Sequence, residues 1–153
     1  QCDWSSDVCS SDLGAEMITQ TIKPNIAIVT DVCHDTTTPM IEKKKQGHTE
    51  IGAGPVISYA PAVQNKLRER IIETAETNKI PFQRMAASRY TGTDTDAFAY
   101  SNGGVASVLI SLPLRYMHTT VETVHKDDVE NVIRLIYETL LNIKEGESFS
   151  YFE

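Results

Sequence analysis

The sequence predicts an α/β fold in three layers, a mostly parallel sheet with helices on both faces. Two kinds of segment carry that reading. The runs Asn25 to Val32 and Val105 to Leu112 are apolar with little polar alternation, as expected of strands covered on both faces. Other stretches place apolar residues at helical spacing: Val63, Leu67, Ile71, Ile72 and Ala75, and later Val129, Val132, Ile133, Ile136 and Leu140. Strand and helix signals alternate along the chain, which is the pattern of a parallel sheet with crossover helices.

In chain order, Gly14 to Thr21 reads as a short helix with Ala15, Met17 and Ile18 on its apolar side and Pro24 ending it. The first strand follows, then a polar loop from Cys33 to Thr49 whose Lys43-Lys44-Lys45 run reads as solvated. Gly52-Ala53-Gly54-Pro55 opens a second strand, Val56 to Tyr59. Phosphate-cradling glycine loops lead from a strand into a helix. This one leads into a strand, so its glycines are better explained as letting the backbone pass close to a site. Pro61 suits the first turn of a helix reaching about Asn78. Pro81 to Ala86 is the next strand, and Thr95 or Asp96 is a cap candidate for a short helix over Ala97 to Tyr100. Asn102-Gly103-Gly104 turns into the strand ended by Pro113, and a last helix runs from the cap candidate Asp127 to Ile143. Residues 146–153 read as a tail whose Phe149, Tyr151 and Phe152 dock on something.

The chain has 153 residues, 41% hydrophobic and 23% charged, which suits one soluble domain with a real core. A formal charge of −7 argues against nucleic-acid and anionic-membrane partners, since either would require a basic face. No apolar run approaches the roughly 20 residues that span a bilayer, and the start lacks the apolar stretch of a signal peptide.

Residues 1–13 read unlike the rest. Ser5-Ser6-Asp7 recurs as Ser10-Ser11-Asp12, and the segment holds the Trp and two of the three cysteines. Cys2 and Cys9 would close one small loop with no core around it, a poor disulfide framework. Val8 to Leu13 resembles a conceptual translation of sequencing-adapter DNA, so a non-native segment is expected there, with the true protein continuing upstream. Without it Cys33 is the remaining cysteine, which fits a reducing compartment.

Two side chains stand where open α/β sheets gather ligand-binding groups, at the carboxyl ends of strands. Asp31 closes the run Ile26 to Thr30, and His118 follows the strand that Pro113 ends. Both are ligand types for a divalent metal, although alone an Asp there also reads as a loop hydrogen-bonder and the His as a solvated residue. His34, three residues past Asp31, is a candidate neighbour of the site. Cys33 beside His34 makes a poor nucleophile pair, because adjacent residues on an extended chain point apart.

From Gly14 to about Lys144 the chain resembles the C-terminal part of the glutamyl aminopeptidase and tetrahedral aminopeptidase family of dinuclear metallopeptidases, some members of which are labelled endoglucanases. The matching pieces are Gly14-Ala15-Glu16, Thr30-Asp31-Val32 with His34 and Pro39, and Ile51-Gly52-Ala53-Gly54-Pro55. Gly92-Thr93-Asp94-Thr95-Asp96-Ala97 and Ser111-Leu112-Pro113-Leu114-Arg115-Tyr116-Met117-His118-Thr119 complete them. The resemblance implies a zinc-peptidase-like fold and a cytoplasmic aminopeptidase that releases N-terminal residues from peptides. It also implies two divalent metal ions, zinc or cobalt, and assembly into a large homo-oligomer. It makes Asp31 a ligand of one ion and His118 a ligand of the other. His34, Thr95 and Asp96 would lie beside the metals or the substrate without being ligands.

The remaining ligands, the general-base Glu that takes a proton from water and the assembly region would lie upstream of Gly14. On that reading residues 14–145 are the C-terminal part of a catalytic domain, about the last half of the enzyme, and the isolated chain is inactive and poorly folded. Two other readings compete. A glycoside hydrolase needs two carboxylates flanking a sugar bond, and no such pair is apparent. A non-catalytic α/β assembly module would have an intact gene beginning at Met17.

Overall fold

A computed structural model describes residues 10–151. Residues 1–9, with Trp4 and both N-terminal cysteines, lie outside the described residues, as does Phe152. Helix α1 (Ser10–Ile22) starts ahead of the expected Gly14, so residues 10–13 belong to a helix that continues into the matching sequence. Strand β1 (Ile26–His34) and the one-turn helix α2 (Lys43–Gln46) follow, the latter formed by the lysine run. Strand β2 (Val56–Tyr59), helix α3 (Asn65–Thr77), strand β3 (Gln83–Ala86) and helix α4 (Asp94–Ala99) come next. Strand β4 (Ala106–Arg115), the two-residue β5 (Thr123–Val124) and helix α5 (Lys126–Asn142) complete the chain.

Among the described residues the sheet has the order β1-β4-β2-β3, with β5 paired to β4. β1 and β4 run parallel over the whole of β1, from Ile26 opposite Ala106 to His34 opposite Leu114. β2 and β3 are also parallel, with α3 as the crossover that a parallel connection requires. These two pairs meet antiparallel at Val56–Ser111 and Ile57–Ile110, and β5 is antiparallel to β4. The α/β class with helices on both faces holds, and the sheet itself is mixed. α3 packs with α5 and α1 with α4. The core is built from Ile57, Leu67, Ile71, Leu109, Ile110 and Leu135, each at most 2% exposed.

Several local expectations change. Pro113 does not end β4, because it lies between the stretch paired with β2, which stops at Ser111, and the stretch paired with β5, which starts at Leu114. No neighbour there requires its missing N–H. Pro61 lies in a turn ahead of α3, and Gln64 caps that helix by accepting from the Leu67 N–H at 2.7 Å. The α4 cap is Thr93 rather than Thr95 or Asp96, and the α5 cap is His125 rather than Asp127. On α5 the buried face is Asp128, Val132, Leu135 and Thr139, whereas Ile133 and Leu140 are exposed. The end of the chain is docked: Phe149 is buried, Gln64 Nε2 donates to its carbonyl at 2.9 Å, and Arg70 pairs with Glu147 at 2.6 Å.

Candidate functional site

The carboxyl ends of β1 and β4 are level, since His34 faces Leu114 and the Asp35 N–H continues the ladder to the Leu114 carbonyl at 2.9 Å. Asp31 therefore lies inside β1 rather than closing it, three residues before its end and opposite Ser111. Its Oδ1 accepts from the Val32 N–H at 2.7 Å. Ser111, at the register position of Asp31, is 1% exposed, and its Oγ has no hydrogen-bond partner among the described residues.

His118 comes from the loop after β4, as expected. That loop is strained: Tyr116 and His118 both adopt positive φ, at 57° and 65°. Non-glycine residues in that region cost energy and cluster at functional sites. The Glu122 carboxylate accepts from the His118 N–H, and Thr119 Oγ1 donates to the Tyr116 carbonyl at 2.6 Å. His34 lies close enough to His118 to sense its charge. Partial burial first, and that neighbour second, hold the His34 imidazole below its ordinary value.

Behind these groups lies a layer that sequence reasoning missed. Asp35 and Asp128 are both fully buried carboxylates. Asp35 Oδ1 accepts from the Thr37 N–H at 2.6 Å, and Asp128 accepts from the Gly52 and Gly54 N–H groups at 2.7 and 2.8 Å. The Gln83 side chain reaches the same loop, donating to the Glu50 and Gly54 carbonyls at 2.8 Å and accepting from the Glu50 N–H at 2.9 Å. Gly54 has φ +97°, and a Cβ there would sit 2.3 Å from the Pro81 carbonyl oxygen, so only glycine fits. The pair of glycines was the visible signal. Its buried partner, one residue past the expected cap of α5, was not visible.

Cys33 is a free, buried thiol. Burial, then the charges of Asp31, Asp35 and Asp128, push it up from 9.0 to about 12. It stays protonated and inert, which removes the Cys33–His34 nucleophile scheme. Thr95 is fully buried at the start of α4, its Oγ1 accepting from Thr93 Oγ1 at 3.0 Å. Asp96 Oδ2 accepts from the Thr91 and Gly92 N–H groups at 2.8 and 3.0 Å. Both side chains thus serve their own loop. Among the described residues no group of three or more His, Cys, Asp or Glu is arranged to hold a metal ion. Asp31 and His118 are suitable donor types, but the described residues do not complete a metal site.

Polar and strained residues gathered at the carboxyl ends of two adjacent parallel strands stand where open α/β proteins commonly bind their ligands. The comparisons with known proteins give the family. A model of the M42 glutamyl aminopeptidase family matches residues 12–135, and the chain belongs to that family. It is 35% identical over 131 residues to a lysyl aminopeptidase of Pyrococcus furiosus, covering 86% of this chain and 37% of that protein. Among solved structures it resembles a TET aminopeptidase from a marine-sediment Thaumarchaeota archaeon, with a TM-score of 0.77, 27% identity and coverage of 89% of this chain and 38% of the other. A TET1 peptidase of Pyrococcus horikoshii, described as assembling into a tetrahedron or a large octahedral shell, matches with a TM-score of 0.64 and 27% identity, covering 86% and 37%. A Thermotoga maritima protein labelled endoglucanase matches at 0.60 and 28%, covering 82% and 36%. The chain thus spans well under half the length of the proteins it matches. No helix among the described residues is long and apolar enough to cross a membrane.

Proposed function

We propose that this chain is the C-terminal part of the catalytic domain of a metal-dependent aminopeptidase that releases N-terminal residues from peptides. The observation that carries the reading is the family match over residues 12–135, together with Asp31 in the C-terminal half of β1 and His118 in the loop that follows the adjacent parallel strand β4. Asp31 serves as ligand to one divalent ion and His118 to a second, zinc or cobalt. His34, Thr95 and Asp96 stand beside the metals or the substrate. When bound, two such ions supply Lewis acidity for hydrolysis. The general-base Glu and the other ligands come from outside the chain. The whole enzyme works as a homo-oligomer in the cytoplasm. The TET1 relative, described as assembling into a tetrahedron or a large octahedral shell, supports the oligomer.

Zinc by elemental analysis, with turnover of chromogenic amino-acid amides, tests the reading on the isolated chain. The expected result is substoichiometric metal and no turnover. Near-stoichiometric zinc with peptidase activity would overturn the placement of the general base and the other ligands outside this chain. Recovering the full gene and setting a chromogenic peptide against a cellulose derivative separates this reading from the endoglucanase label. Hydrolysis of the cellulose derivative alone would replace it.

A further inference from the structure

The turn between α4 and β4 carries the Asn-Gly pair of this sequence, Asn102-Gly103. Every other asparagine is followed by a bulkier residue: Asn25 by Ile26, Asn65 by Lys66, Asn78 by Lys79, Asn131 by Val132 and Asn142 by Ile143. Both members of the pair are exposed and both have positive φ, +50° at Asn102 and +79° at Gly103. A Cβ built on Gly103 would meet nothing within 4 Å, so the backbone N–H that follows Asn102 is not crowded. The Asn102 side chain also has a structural task. Its Nδ2 donates to the carbonyl of Thr19, in the last turn of α1, 83 residues away in sequence.

α1 packs against α4, but the side chains it is seen to bury are small. Its buried side chains are the small Ala15 and Thr19, whereas Leu13, Met17, Ile18 and Ile22 are each at least half exposed. The Asn102 donor from the α4–β4 turn adds a polar tie to that packing at the last turn of α1.

We propose that Asn102 is a site of spontaneous deamidation, and that its conversion loosens α1. The deprotonated backbone nitrogen of Gly103 attacks the Asn102 side-chain carbonyl carbon. A carbon–nitrogen bond forms, the bond to the amide nitrogen breaks, and ammonia leaves with the proton taken up from water. Water then opens the resulting cyclic imide at either carbonyl, giving aspartate or isoaspartate. No oxidant, reductant or enzyme is required. The product replaces an N–H donor by a carboxylate facing the Thr19 carbonyl, two acceptors with no proton between them, and that contact is lost.

The test ages the 153-residue chain in mildly alkaline buffer, next to the same chain in denaturant, and follows each asparagine by peptide mass mapping. Amide exchange of α1 is read on the aged chain and on Asn102→Asp, with Asn102→Gln as the control that keeps a donor. The expected result is acid forms at position 102, ahead of the other five asparagines. In the aged chain and in Asn102→Asp, α1 amides should exchange about tenfold faster while those of α3 and β4 are unchanged. Retention of the Asn102 amide in the native chain over the period in which the denatured chain converts would overturn the proposal, because the fold would then protect the site. Unchanged α1 exchange in the aged chain would overturn the structural consequence even if Asn102→Asp itself failed to fold.

Discussion

The two helical layers bury very different amounts of apolar side chain. α3 and α5 close one face of the sheet with Leu67, Ile71, Ile72, Ala75, Val132 and Leu135, all at most 5% exposed. α1 buries an alanine and a threonine and turns four large apolar side chains outward. The α3/α5 layer therefore has the energetics of a finished protein interior, and the α1 layer those of an interface. A chain that spans well under half of its relatives is expected to divide in this way. Its core is closed by α3 and α5, and among the described residues α1 leaves its large apolar side chains exposed.

Substitutions on the two layers give the largest contrast. Leu67→Ala removes a fully buried side chain from α3 and should cost about 3 kcal/mol in a urea titration. Met17→Ala, on the exposed side of α1, should change stability by less than about 0.5 kcal/mol. Equal effects would remove the distinction between the layers. Asp128→Ala should come next, at about 2 kcal/mol, because two buried N–H groups lose their acceptor. Amide exchange should quicken at Gly52 and Gly54 before it changes in α3.

Cys33 offers a probe of the finished side. With Cys2 and Cys9 changed to Ser, its reaction with a thiol reagent should be slow in the native chain and fast in denaturant, since the thiol stays neutral up to about 12. Ionisation of this thiol favours the unfolded chain. Its contribution to stability is whole below 9.0, the ordinary thiol value, and falls as pH rises toward 12. The smallest effect is expected at the C-terminal strap. The Lys144 backbone N–H first, and then Arg70, hold Glu147 below its ordinary 4.5. The strap's contact is complete above that value and is lost as pH falls below it. Glu147→Gln should mimic the acid state, and proteolysis near Ser148 reads the change.

Much of this arrangement was legible in the sequence. The unbroken apolar runs around Val29 and Leu109 named two strands that prove to be neighbours, and the loop after β4 was rightly expected to carry His118. The expected face of α5 was right at Val132, and at the half-buried Ile136, but wrong at Ile133 and Leu140, because the helix is apolar on two sides. Val132 and Leu135 face the core, whereas Ile133, Tyr137, Leu140 and Leu141 do not. Periodicity registers a stripe and does not say which stripe meets the sheet. The caps were misread because Thr93, His125 and Gln64 compete with equally plausible neighbours, and backbone direction alone decides among them. Asp35 and Asp128 were passed over because nothing local distinguishes a carboxylate that will accept buried N–H groups from one that meets water. Their partners are two residues away in one case and more than seventy in the other.

β1 has a further consequence for anyone handling the protein. Among the described strands it pairs with β4 along one side, and it has no strand on its other side. The backbone donors and acceptors of alternate residues along this nine-residue strand face outward there, and Asp31 and His34 are its acidic and basic side chains. An edge of that length with so few charges is a template for adding another strand. A concentrated preparation of the chain will therefore self-associate through strand addition. Size-exclusion elution that shifts with loading, and that a lysine placed at Thr30 suppresses, is the expected sign.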